Sequence, residues 1–431
     1  MNQELLRTVD SIAKDRNIDR ETVFNDLESS MVLAAKKYFG TAEEVTIHID
    51  RSTGQITATQ GGVPLSLRDL GRIAAQTAKQ VMIQKIREAE RDSMYEEYLD
   101  RRGQIVTGQV IRIDPGAVTV TLGRAEAFLP ASEQIPGETY QVKQRLRAMV
   151  LEVRDAGARS GGSSGIKIVL SRTSKDFIRK LFELEVPEVS EGIIEIKALS
   201  REAGYRSKVA VVSNDSKVDA VGACVGVRGS RIKSIVDELN GEKIDIVRWN
   251  DSSTVLIGNA LKPAEVNQIA LCFELGRATV VVDEEQLSLA IGKRGQNVRL
   301  AARLTGWDID IITPAEYNAG IERLEKTIKE ANLTDNSLLG KMVALGMVSV
   351  TDVSEVGTAP LVSELAFSET DAAELVKHCV EETEKVRAEM EQVKAQSERI
   401  ASSGGSGEGH ETGNVRIRFS ARVEPDSKKE S

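Results

Sequence analysis

Between residues 20 and 40 apolar positions recur every three or four residues, and Val23, Leu27, Met31, Ala34, Ala35 and Tyr38 fall on one stripe. That period predicts an amphipathic helix. Asp19 is placed to cap its start and Gly40 to end it. The period then drops to two. Val45, Ile47 and Ile49, then Ile56 and Ala58, alternate on either side of "RSTG", the pattern of a β-hairpin. From Leu70 to Leu99 a charged, alanine-bearing stretch predicts one long helix, suited equally to a stiff connector or to ordinary packing within a domain.

The texture changes from about Arg102 to Arg172. "GQIVTGQVIRID", "AVTVTLGR", "EAFLP", "QRLRAMVLEVRD" and "GIKIVLSR" are five short strand-like runs separated by turns. Five strands in so short a segment suit a small Greek-key barrel of the OB type. "DAGARSGGSSG", residues 155–165, is too small and polar to pack and reads as a loop between the last two strands.

From about 174 to 316 helical and strand-like runs alternate, and the pattern repeats itself. Residues 206–249 read strand "RSKVAVV", short helix "AVGACV", turn "GVRG", helix "SRIKSIVDELN", strand "KIDIVRW". Residues 277–313 read strand "RATVVVD", short helix "QLSLAI", turn "GKRG", helix "QNVRLAARLT", strand "DIDIIT". The two glycine turns begin at Gly226 and Gly292, 66 residues apart. Beyond them residues 318–395 are helical and acidic, and the final stretch opens with "SSGGSGEGHETGN", a disorder-prone composition. "VRIRFSARV" alternates like a strand inside that tail, but an isolated strand has nothing to pair with, so the tail is expected to be disordered.

Charge sharpens the picture. The chain of 431 residues carries a net charge of -9, which argues against a protein that coats nucleic acid along its whole surface. Local basic sites on an acidic body remain open. Cys224, Cys272 and Cys379 lie far apart, as do His48, His378 and His410, so neither a metal cluster nor a His-based catalytic group is expected. Buried thiols in a reducing cytosol fit these cysteines better than disulfides do. The N-terminus does not read as a signal peptide, and no apolar run is long enough to span a membrane. A cytoplasmic protein without cofactor or metal is expected, and no coiled coil argues for more than a monomer.

The candidate chemistry lies at the repeated turn. Glycines flanking two residues allow a sharp, closely approachable turn. The helix that follows offers unpaired N–H groups and a positive dipole end to a phosphate. Gly226, Val227, Arg228 and Gly229 form the first turn, followed by Arg231 and Lys233. Gly292, Lys293, Arg294 and Gly295 form the second, followed by Gln296, with Arg299 and Arg303 sharing one helix face. A lone turn of this kind is most simply a tight connection between two helices. Two copies in one frame favour tandem KH domains, whose G-x-x-G loop clamps about four nucleotides of single strand. In the barrel, Phe128 suits either core or base-stacking platform, with Tyr140 the other aromatic and Arg112, Arg124 and Arg145 as candidate phosphate partners.

The order of these segments resembles the NusA family of bacterial transcription termination/antitermination factors. The resemblance rests on "YEEYLDRRGQIVTGQV", "EAFLP" with "PGE", "VLSRT" with "LFELEVPE", "SREAGYRSKVAV", "VGACVGVRGSRI", "ELNGEKIDIV" and "LAIGKRGQNVRLAARLTGWDIDI", within residues 1–316. It implies a multidomain α+β protein. Residues 1–101 would be an N-terminal RNA polymerase-binding helix–hairpin domain with its connector helix, and 102–173 an S1-type OB barrel. Two KH domains would follow at 174–250 and 251–317, then a helical, helix-hairpin-helix-like module at 318–395 and the tail at 396–431. It further implies docking on core RNA polymerase near the RNA exit channel and a grip on nascent single-stranded RNA by the barrel and both KH domains. Pausing and hairpin-dependent termination would be promoted, or antitermination when other Nus factors assemble, without catalysis.

The chain departs from the family pattern in three places. Ala220 stands where proline is expected, Ala117-Val118 stands where S1 domains often carry an aromatic, and one copy of the acidic C-terminal repeat is visible. That copy reads equally as a plain helical cap. Two other classes share parts of this pattern. An RNA-processing enzyme such as polynucleotide phosphorylase places KH before S1 behind a large catalytic core, the reverse of the order here. A ribosome-associated KH protein would differ in making no polymerase contact.

Overall fold

The computed structural model describes residues 19–39, 45–61, 63–64, 91–155, 166–331, 333, 337–403 and 420–421, with Leu6, Val9, Asp10 and Ala13 ahead of them. It divides into two compact units, residues 1–134 with 139–172, and residues 135–138 with 173–431.

In the first unit the helix Arg20–Phe39 buries Val23, Phe24, Leu27, Met31 and Ala35. They pack on the antiparallel hairpin of β1 (Val45–Ile49) and β2 (Ile56–Gln60), with β3 (Val63–Pro64) as a short third strand. The side chains of Ala34 and Tyr38, and Gly40, lie outside the described residues, as does the helix predicted over 70–99 except for 91–100, which is helical. Arg51 in the hairpin turn reaches back to Asn25 and Glu21 and caps the Phe24 ring, fastening hairpin to helix.

Tyr98, in the helical stretch 91–100, packs into the barrel core and donates its hydroxyl to the Leu122 carbonyl. The barrel strands are β4 (Ile105–Asp114), β5 (Ala117–Thr121), β6 (Glu126–Pro130), β7 (Arg145–Asp155) and β8 (Ile166–Ser171), closed in the order β4-β5-β6-β8-β7. All five predicted runs are strands. Inward positions such as Val110, Val118, Val120, Ala127, Leu129, Val150 and Leu170 fill the interior. Gly108 is required by close packing, since a Cβ there would lie 2.4 Å from the Val120 side chain. The loop expected at 155–165 falls outside the described residues apart from Asp155.

The second unit holds the repeat. Strands β9 (Ile194–Glu202), β10 (Arg206–Ser213) and β11 (Lys243–Arg248) form a sheet ordered β11-β10-β9, antiparallel then parallel along the chain. Strands β12 (Gln268–Cys272), β13 (Arg277–Val281) and β14 (Asp308–Ile312) repeat that order and those directions. One hydrophobic core runs through both copies, joining Ala210 and Val247 of the first to Val280, Val298, Ala301 and Ile311 of the second through the helix Ser253–Leu261. The copies are therefore fused, not strung on a linker.

Thr313 and Glu316 form a reciprocal capping box, with Pro314 in the first turn, and start the helix Pro314–Glu330. It leads to four further helices, Leu338–Ala344, Val350–Val356, Thr358–Leu365 and Glu369–Ser403. Their core includes Cys272 of β12. The backbone at Gly346 abuts β12, where a Cβ would lie 2.2 Å from the Leu271 carbonyl oxygen. Arg277 of β13 meets Asp352 at 3.2 Å and Glu355 at 2.7 Å. The module is thus seated on the second KH sheet.

The tail expectation needs correction at one point. Ser420 and Ala421 form β15, antiparallel to β14 with Asp310 opposite Ser420 and Ile309 opposite Ala421. A strand in the tail does have a partner, the otherwise free edge of the second KH sheet, which sequence pattern alone could not single out. The remainder of "VRIRFSARV" lies outside the described residues.

Candidate nucleic-acid interface

The two glycine turns have one backbone. Gly226 and Gly292 take φ 75°, ψ 174° and φ 72°, ψ 173°, a conformation closed to residues with a Cβ. Arg228 and Arg294 follow in the left-handed region at φ 53° and 55°, and Gly229 and Gly295 continue there at 76° and 72°. Each turn closes with a 3.1 Å hydrogen bond from the second glycine N–H to the first glycine carbonyl. The helices that follow, Ser230–Glu238 and Gln296–Thr305, begin on glycine with no side-chain cap; their first N–H groups, of Ser230 and Gln296, turn back to the Val227 and Lys293 carbonyls, and the N–H groups next in line carry the positive end of each helix dipole.

The first glycine is required twice over, because a side chain packs against it. A Cβ on Gly226 would stand 2.8 Å from Arg231 Cγ, and one on Gly292 would stand 2.7 Å from Asn297 Cβ. Both props lie five residues past the glycine they support. Arg231 donates to the Ala223 carbonyl at 2.7 Å and to Glu188 at 2.8 Å. Glu188 accepts a backbone hydrogen bond and, despite partial burial, these contacts with the Arg231 guanidinium hold its carboxyl below the usual range. Asn297, fully buried, spreads its amide over the carbonyls of Leu261, Leu289 and Ala290 at 3.1 to 3.2 Å. Sequence reasoning missed Asn297. Its one signal was the position it shares with Arg231.

The predicted site residues divide into two groups. Val227, 82% exposed, and Arg228, Lys293, Arg294 and Lys233 stand in solvent, and these four cations form no ion pair among the described residues. Arg231 is the prop just described. Gln296, Arg299 and Arg303 instead turn toward the first KH domain and converge on Glu202 at the end of β9. Their distances to its carboxylate are 2.8, 2.6 and 4.0 Å. Burial raises the Glu202 pKa, but Arg299, Gln296 and Arg303 together outweigh it and keep the carboxyl below its usual range. Two residues earlier on the strand, Ser200 donates to the Leu300 carbonyl at 2.8 Å.

Departure from proline at Ala220 is absorbed locally. The Asp219 carboxylate caps the helix Ala220–Val225 through the Gly222 N–H at 3.1 Å. Alongside that helix, β11 and the helix Ser253–Leu261 border a cleft of about 1120 Å³ lined by Arg248, Asn259 and Lys262 among others. Its floor holds Lys208, a buried lysine whose ammonium lies 3.0 Å from Asp245. Burial pulls the Lys208 pKa down, and Asp245 offsets part of that. The sequence reading passed over this groove because its residues come from four separated segments, around 208, 219–221, 245–248 and 258–266.

In the barrel, β6 alternates so that Ala127 and Leu129 face inward and Phe128 faces out. The open choice between core and platform resolves to an outward, half-buried ring. It borders a cleft of about 880 Å³ with Arg124, Arg154 and Lys167, and the Lys167 ammonium lies 5.9 Å from its centroid. Arg112 is paired with Asp114 at 2.7 Å, and Tyr140 packs against the barrel core. Among the described residues no helix is long and apolar enough to cross a membrane, and no cluster of His, Cys, Asp or Glu could hold a metal.

Comparison with known proteins follows the same segments. Models of the NusA N-terminal domain match residues 4–63 and 60–92, and the S1 RNA binding domain matches 99–164. The NusA-like first and second KH domains match 172–249 and 253–319. The transcription termination/antitermination protein NusA of Bacillus subtilis (strain 168) is 40% identical over 343 residues, covering 72% of this chain and 91% of that protein. NusA of Rickettsia conorii is 34% identical over 444 residues, covering 93% and 87%. NusA of Mycobacterium tuberculosis (strain H37Rv) is 42% identical over 320 residues, covering 70% and 90%. Barrel, paired glycine turns and relatives agree, and the chain belongs to the NusA family of transcription termination/antitermination proteins.

Proposed function

We propose that this chain is an RNA-binding transcription elongation factor that associates with core RNA polymerase and grips nascent single-stranded RNA, modulating pausing, termination and antitermination. The duplicated glycine turn carries the reading. Each copy sets helix N–H groups that no side chain caps beside exposed cations, on the same glycine-dependent backbone. Phosphate would sit on the N–H groups, Arg228, Lys293 and Arg294 would neutralise its neighbours, and Val227 would offer apolar contact to a sugar or base. Phe128 with Lys167 would add a stacking position on the barrel.

The regulatory family and the RNA-binding domains support a reading in which the chain acts by binding and not as an enzyme. We further read it as a cytoplasmic monomer that meets other Nus factors on the elongation complex. Two experiments test this. Lys293→Asp with Arg294→Asp should weaken binding of unstructured RNA by roughly thirtyfold or more while the melting temperature stays put; unchanged affinity would remove the second clamp. Core RNA polymerase should co-purify with the full chain and not with a version lacking residues 1–101. Retention by neither would favour a ribosome-associated KH protein.

A further inference from the structure

The second glycine turn is braced from outside its own domain. Glu202 and Ser200 lie two apart on β9 and so face the same side of the strand. That side meets the helix Gln296–Thr305, which starts immediately after Gly295. Glu202 takes the first residue of that helix, Gln296, and the arginine one turn on, Arg299. Arg299 in turn points its guanidinium at the Arg294 carbonyl within the turn, 3.5 Å away. A continuous polar path therefore runs from β9 of the first KH domain to the backbone of the second clamp. Only 19% of the Glu202 side chain is exposed, against 40% for each arginine, so the carboxylate is the sheltered member.

We propose that Glu202 is a positioning residue that fixes the second glycine turn against the first KH domain, so that one RNA strand engages both turns at once. The same contact draws Arg299 and Arg303 away from phosphate and leaves Lys293 and Arg294 as the second clamp's working cations. This rests on the RNA-gripping reading above. Two tethered clamps held at a fixed spacing gain through effective concentration, and a loosened joint forfeits that gain.

The test uses the full chain, the Glu202→Ala variant and two unstructured RNA probes. One probe is about five nucleotides long, enough for a single clamp, and the other about sixteen, room for two grips of about four nucleotides and a spacer. Wild type should favour the long probe strongly. In Glu202→Ala the long-probe affinity should fall about two- to threefold, while short-probe affinity holds or rises because Arg299 and Arg303 are released. The short-probe salt dependence should steepen by about 0.7 for each phosphate newly neutralised, a change that general loosening of the fold would not produce. Should Glu202→Ala melt early, Arg299→Gln breaks the contact from the other side, and the charge swap Glu202→Arg with Arg299→Glu should recover the long-probe preference. A long-to-short ratio unchanged in both single variants overturns the role of Glu202 alone. Wild type that binds neither probe overturns the RNA-gripping reading, and this proposal with it.

Discussion

The two KH domains share a backbone turn and differ in what holds it. In the first, a charged and partly exposed prop, Arg231, is tied to Glu188. In the second, a neutral and fully buried prop, Asn297, gathers three carbonyls, and the turn is braced again through Glu202. The exposed charge differs as well, with Arg228 alone inside the first turn and Lys293 with Arg294 inside the second. One fold can thus set the shape of a phosphate cradle twice while leaving its support and field to be chosen separately. The second turn has the more supporting contacts and the more cations inside it.

The widest gap is expected in stability. Asn297→Ala would strand buried carbonyls at the ends of two helices, a loss of about 3 kcal/mol. Arg231→Ala removes a partly exposed ion pair and one backbone hydrogen bond, a loss of about 1 kcal/mol. Urea unfolding of both variants decides the matter, and equal losses would erase the distinction between the props. Glycine replacement follows. Gly292→Ala drives a Cβ into Asn297 Cβ and its backbone nitrogen, which stands 3.0 Å away, whereas Gly226→Ala meets the flexible stem of Arg231. Both pay the conformational strain of about 1 to 3 kcal/mol, and Gly292→Ala should cost about 1 kcal/mol more.

RNA affinity is the next comparison. Lys293→Ala with Arg294→Ala removes two phosphate partners and should flatten the salt dependence by about 1.4, against about 0.7 for Arg228→Ala. Equal changes in fluorescence-anisotropy titrations across a salt series would show that charge at the turns does not rank the two clamps.

Much of this was legible in the sequence, and the residues that were not share a cause. Periodicity located the barrel strands and both KH frames, because burial on one face writes itself along the chain at period two or three to four. The glycine turns were legible because the φ they need admits almost nothing else. Arg299 and Arg303 were correctly placed on one helix face, yet the partner that decides what they do lies about a hundred positions upstream. Glu202 and β15 are long-range in the same sense, and Asn297 is so in part, with the Leu261 carbonyl 36 positions upstream and those of Leu289 and Ala290 only 8 and 7 away. Nothing in the neighbourhood of Ser420 names β14 as its partner, and nothing near Asn297 says that three carbonyls will surround it.

Acid should expose the smallest difference between the copies. Glu188 and Glu202 both sit below the ordinary carboxylate range in the folded chain. A depressed pKa adds stability that is complete above the unfolded value of about 4.3 and is lost as pH falls through the folded value. Glu202 is held by two arginines and a glutamine, Glu188 by one arginine and a backbone hydrogen bond, so Glu202→Gln should flatten the acid limb more than Glu188→Gln. Both pairs keep some solvent contact, with Glu188 27% and Glu202 19% exposed, so screening limits each effect to tenths of a kcal/mol, on the order of 0.5. Urea midpoints taken from pH 7 down to about 3.5 would rank them. If Glu188→Gln proves the flatter, the charged prop of the first turn carries more of the acid response than the interdomain brace, and the support of the second turn rests on Asn297 and not on Glu202.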